Sequence, residues 1–137
     1  MCAVAALALR TAMLRGVGGV LLVSHDWHTR ALLRAQLIEE GCPVMAFESL
    51  ADAERELKHR GAFEPRLLIL DPAGGERAPS EIAQLSAWAG SVPVWLLATR
   101  SLGAETALEG RGFEAVIFRP FGIKELVERI KQRLGAS

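Results

Sequence analysis

Four consecutive aliphatic residues, Leu67, Leu68, Ile69 and Leu70, stand between Pro65 and Pro72. A strand with one face in water alternates apolar and polar residues, so an unbroken aliphatic run framed by prolines is expected to be a short strand buried on both faces. Directly after it comes a carboxylate, Asp71. In open parallel sheets the crevice beyond the carboxyl ends of the strands is where ligands and chemistry collect, which puts Asp71 where an acid is useful. The competing reading is a turn, because Asp before Pro commonly opens one.

The rest of the chain repeats this unit. Val20 to Val23 is a second buried-strand run, ending in the polar cluster Ser24, His25, Asp26. Thr29 to Glu40 reads as an amphipathic helix, with Leu33 and Leu37 on one side, Arg30, Arg34 and Glu39 on the other, and Gly41 closing it. Pro43 to Phe47 is a weaker strand. Ser49 with Asp52 three residues on looks like a capping box, opening a helix striped by Leu50, Ala53 and Leu57 and ended by Gly61. After the Gly- and Pro-rich stretch from Asp71 to Pro79, Ile82, Leu85 and Trp88 mark a helix to Ala89. Pro93 to Leu97 is expected as a fourth strand, Ala104 to Glu109 as a short helix and Ala115 to Phe118 as a fifth strand. The final helix, Ile123 to Leu134, carries the clearest helical period. Strands and helices alternating with short connections argue an α/β fold, a doubly wound five-stranded parallel sheet.

With 137 residues there is room for one domain, large enough to bury an apolar core without disulfides or a structural metal. A formal net charge of zero announces neither a nucleic-acid surface nor an acidic tail, so no nucleic-acid partner is expected. Cys2 and Cys42 are isolated, which suits reduced thiols and a cytoplasmic location. Residues 1–16 are expected to be an N-terminal extension, helical or disordered, with Met13 an alternative start, and residues 17–137 the domain. The apolar run before Arg10 is too short to span a bilayer and its charges follow rather than precede it, so neither a membrane anchor nor a signal peptide is expected.

Several other constellations carry little. Three consecutive residues such as Ser24, His25 and Asp26 cannot converge on one proton-transfer line, which removes a hydrolytic triad. Gly16 to Gly19 precedes a strand rather than following one, so no dinucleotide fingerprint is present, and a nucleotide- or flavin-binding enzyme lacks its phosphate-cradling loop. Gly74 and Gly75 read as loop. His28 and His59 are expected on solvated helix faces, Trp88 and Trp95 in or beside the core, and Trp27 partly buried near the first strand's end.

In order and spacing, the segments VLLVSHDWHTRALL, PRLLILDP, VPVWLLAT and AVIFRPFGIKELVERI resemble the receiver domain of bacterial response regulators, the flavodoxin-like, three-layer α/β/α module of two-component signalling. The resemblance spans Val20 to Leu134. It implies that Asp71 is the phosphoacceptor position, charged by a histidine kinase. It also implies an acidic pair for Mg²⁺ at the end of the first strand, where Ser24 and His25 stand. A Thr or Ser switch is implied at the end of the fourth strand, where Ala98 stands with Thr99 one residue late. The Lys before a cis-proline is Arg119 before Pro120, and the aromatic switch position is Val116.

These departures have physical weight. Mg²⁺ demands oxygen ligands in near-octahedral order, and an imidazole at His25 is a poor substitute. If the first strand ends one residue later, Asp26, Asp71 and the Ala73 carbonyl would form a weak metal site, because a one-residue slip swaps the faces. Arg119 either holds Asp71 in an ion pair or points to solvent. The expectation is a divergent, pseudo-receiver signalling module with no catalytic residues. It would act through a protein partner, a histidine kinase or an effector, or as a homodimer through the face of the fourth helix, fifth strand and fifth helix. No output domain follows Leu134, so contacts are expected to carry the output. The alternative is a single-domain response regulator in a phosphorelay, phosphorylated at Asp71.

Overall fold

The structure, a computed structural model, describes residues 19–60, 64–72, 92–98 and 113–135. Five strands form one parallel sheet: β1 (Gly19–Ser24), β2 (Val44–Phe47), β3 (Pro65–Asp71), β4 (Val94–Ala98) and β5 (Ala115–Phe118). Their order is β2-β1-β3-β4-β5, which is the flavodoxin-like doubly wound arrangement. Three helices are described: α1 (Trp27–Glu39), α2 (Leu50–Arg60) and α3 (Ile123–Leu134). The helices expected over 82–89 and 104–109, the loop with Gly74 and Gly75, and residues 1–16 lie outside the described residues. Among those described, no helix is long and apolar enough to cross a membrane.

The aliphatic runs behave as two-faced strands. On β1, Val20 and Leu22 face one core with Leu33 and Leu37 of α1 and Leu126, Val127 and Ile130 of α3. Leu21 and Val23 face the other, with Leu50 and Ala53 of α2. The alternation continues on β3, where Leu67 and Ile69 go to the α1 and α3 side and Leu68 and Leu70 to the α2 side. All of these β1 and β3 side chains are buried, which is why neither strand shows a polar alternation. Burying each such side chain is worth about 1.5–3 kcal/mol, so the two central strands contribute a large share of the apolar burial.

Helix boundaries follow their caps. Ser49 Oγ accepts the Asp52 backbone N–H at 3.2 Å, as the capping spacing predicts, and α2 begins at Leu50. The first helix departs from expectation: it starts at Trp27 rather than Thr29, because Asp26 is its N-cap. Trp95 is core, 5% exposed, with its Nε1 donating to Glu114 at 2.8 Å and the Arg129 guanidinium over its ring. Arg133, foremost, and the Trp95 indole hold the Glu114 carboxyl below its ordinary range, which ties the start of β5 to α3.

Candidate functional site

Side-chain alternation decides what meets at the carboxyl edge of the sheet. Ser24 lies two residues past Leu22, Asp71 two past Ile69 and Arg119 two past Ile117, and all three reference residues face the α1 and α3 side. The period of two therefore carries Ser24, Asp71 and Arg119 to that same side. The ladder fixes their level: Ser24 is registered against Asp71, and Arg119 N–H donates to the Ala98 carbonyl at 2.9 Å.

Asp71 is 5% exposed. Its Oδ2 accepts Arg119 Nη2 at 2.6 Å and Ser24 Oγ at 2.8 Å. A carboxylate oxygen has two lone-pair sites, and both are taken. Short charge-assisted bonds of this kind are about twice as strong as neutral ones. Of the two readings of Arg119, the ion pair is the one found. The guanidinium is steadied further by the Phe121 ring, 5.0 Å from its carbon, and lies 3.5 Å from Thr29 Oγ1, at the outer limit of a hydrogen bond. The Arg119–Pro120 bond is cis.

The remaining residues of the predicted pocket divide. Ser24 is fully buried and its hydroxyl also lies 3.1 Å from the Asp26 carbonyl, while Arg30 Nη1 donates to the Ser24 carbonyl at 2.7 Å. His25 is exposed; its backbone N–H donates to the Asp71 carbonyl. Ala98 is buried at the end of β4, and Val116 is half-buried on the α2 side of β5. Thr99 and Ala73 lie outside the described residues. Trp27 corrects an expectation: it is 68% exposed, set edge-on to His28, because among the described residues nothing covers it in the first turn of α1. His28 is exposed, as expected.

Asp26 is spent on α1. Its carboxylate accepts the Thr29 hydroxyl at 2.6 Å and the backbone N–H groups of His28 and Thr29. The Thr29 hydroxyl, foremost, holds the Asp26 carboxyl below its ordinary value of 3.8. The cap's contribution is therefore fully present above that value and is lost as pH falls through the lowered one. Asp26→Ala is expected to cost about 1 kcal/mol of stability by urea denaturation, the usual worth of an N-cap, with the difference from the parent shrinking as acid protonates the carboxyl.

The described residues do not fit a Mg²⁺ ion. It would need several oxygen donors free to turn inward. Asp71 Oδ2 is saturated, Asp26 caps a helix, and the family's two acidic positions hold a hydroxyl whose proton serves Asp71 and an exposed imidazole. Among the described residues no three His, Cys, Asp or Glu side chains gather as metal ligands. Sequence reasoning missed Thr29 and Phe121 as members of the site. The DWHT order, an acid three residues before a hydroxyl, was the available capping signal, and Phe121 lies only two residues beyond Arg119.

No protein-family model matches the sequence, and no curated protein matches it. Solved structures do. Sheet order and strand-end geometry together define the receiver fold of two-component response regulators, and the chain has that fold. It is similar to HP1043, an orphan response regulator of H. pylori, at 25% identity and a TM-score of 0.64 over 88% of this chain and 98% of that one. The receiver domain of NtrX from Brucella abortus is 20% identical, with a TM-score of 0.67 over 86% and 99% of the two chains. A response regulator receiver protein from Burkholderia phymatum is 21% identical, with a TM-score of 0.67 over 85% and 94%.

Proposed function

We propose that this chain is a divergent receiver-like signalling module, not an enzyme, that works by docking to other proteins while its own side chains withhold Asp71 from phosphoryl chemistry. The observation behind this reading is the doubly occupied Asp71 oxygen, 2.6 Å from Arg119 and 2.8 Å from Ser24. Phosphoryl transfer onto a carboxylate brings two anions together, and a dication on oxygen ligands normally neutralises them. Among the described residues the neutralising charge is a tethered guanidinium, permanently protonated and already committed to the acceptor. Ala98 adds a second obstacle. A methyl group donates no hydrogen bond, so Ala98 cannot supply the hydroxyl that would report a phosphoryl group at Asp71. Output then depends on a surface fixed by folding, read by an effector protein or by a second copy of the chain.

Incubation of the full chain with acetyl phosphate and Mg²⁺, followed by Phos-tag gels and intact-mass spectrometry, is expected to leave it unmodified. Stoichiometric modification that disappears in Asp71→Asn would instead support a working single-domain response regulator charged by a histidine kinase.

A further inference from the structure

β2 is an edge strand, and among the described residues nothing is paired to its outer side. Val20 N–H donates to the Pro43 carbonyl across to β1, and backbone groups alternate sides along a strand. The N–H and C=O of Val44 and Ala46 therefore point along the open edge. Natural sheets blunt such edges by shortness, charge, proline or a bulge; β2 is short, at four residues, but Val44, Met45, Ala46 and Phe47 bring neither charge nor proline. Helices α1 and α2 stand on opposite faces of the sheet and turn this edge into the floor of a cleft of about 530 Å³. Arg30 and Arg34 form its α1 wall; Asp52, Arg55 and Glu56 form the α2 wall.

We propose that this edge accepts an extended peptide of a partner protein as a sixth strand, acidic at alternate positions. Side chains of an added strand alternate between faces as those of β2 do, where Val44 and Ala46 go to the α1 core and Met45 and Phe47 to the α2 core. Every second residue of the guest thus meets the α1 wall. Arg30 and Arg34 are separated by about 6 Å of helical rise, close to the roughly 6.6 Å between alternate residues of a strand. Two acids at i and i+2 match that pair. On the α2 wall Arg55 is already bound to Asp52 at 3.3 Å, so an acid at the intervening positions gains little there. A second copy fits less well. The two-fold axis that pairs β2 antiparallel with itself places Arg30 and Arg34 of both copies on one face, like charge against like. This inference goes beyond the state of Asp71 and stands on the edge groove alone.

The test uses the full chain and three short fluorescent peptides: one alternating Glu with Val, its Lys-for-Glu counterpart, and the Glu peptide N-methylated along its pairing edge. Anisotropy should show binding of the Glu peptide only, with hydrogen exchange slowed at the Val44 and Ala46 amides. Arg34→Glu, at an exposed position, should weaken that binding about tenfold by replacing an attraction with a repulsion. No binding at millimolar peptide, equal binding of the Glu and Lys peptides, or protection on another face would overturn the proposal. So would protection of the same amides without peptide that grows with protein concentration, which would assign the edge to a second copy.

Discussion

Arg119→Ala is expected to destabilise the fold by about 2–4 kcal/mol, because removing one partner of a buried ion pair leaves the other charge uncompensated. Asp71 is 5% exposed and, among the described residues, its carboxylate keeps the Ser24 hydroxyl alone once the guanidinium is gone. The lower part of the range reflects Arg119 itself, whose side chain is 33% exposed and partly hydrated. Equilibrium urea denaturation should show a lower midpoint with an unchanged m-value, the signature of lost stability without a change in the surface exposed. The double variant Asp71→Asn with Arg119→Ala should recover most of the loss, since a neutral amide no longer strands a charge. If the single and double variants fall equally, Arg119 supports the fold through its stacking on Phe121 rather than through Asp71. Arg119→Lys keeps the charge and gives up that stacking and the planar donor geometry, so it should lie between parent and alanine variant.

Leu22→Ala is expected to cost about 2–5 kcal/mol, the lost transfer free energy plus a cavity that a close-packed interior refills only in part. Leu22 is fully buried at the centre of β1, the strand flanked by both β2 and β3, and packs in the core that α1 and α3 cover. Neighbouring strands clamp its backbone, so collapse around the cavity is limited and the upper half of the range applies. Leu32→Ala on the outer face of α1 provides the contrast. That side chain is 46% exposed and its removal should change stability by less than about 0.5 kcal/mol.

The central strands were legible because both of their faces are buried, and a doubly buried strand writes itself as an unbroken aliphatic run at Val20 to Val23 and Leu67 to Leu70. The last helix was legible because Leu126, Val127 and Ile130 sit at its own period and nowhere else fits. The start of α1 was not. Its apolar stripe begins only at Leu33, so periodicity placed the first turn two residues late, and Asp26 was weighed as a metal ligand when its carboxylate was already engaged as a cap. Partial burial of Trp27 rested on its place beside the strand-end pocket, but proximity in sequence does not reveal whether a neighbour stands over a helix's first turn. The Asp71–Arg119 pair joins residues far apart in sequence and depends on strands two places apart in the sheet. Sequence could name both residues and the edge they share. Only the sheet order and the parity of the strand ends could decide whether they touch.

The account turns on an acid whose charge is already satisfied from within the chain, and ¹⁹F NMR of the protein with beryllofluoride and Mg²⁺ tests it most directly. Only the resonances of free fluoroberyllates are predicted, in the parent and in Asp71→Asn alike. New slowly exchanging resonances that require Mg²⁺ and vanish in Asp71→Asn would show Asp71 accepting a phosphoryl mimic over a bound metal, and would contradict the account.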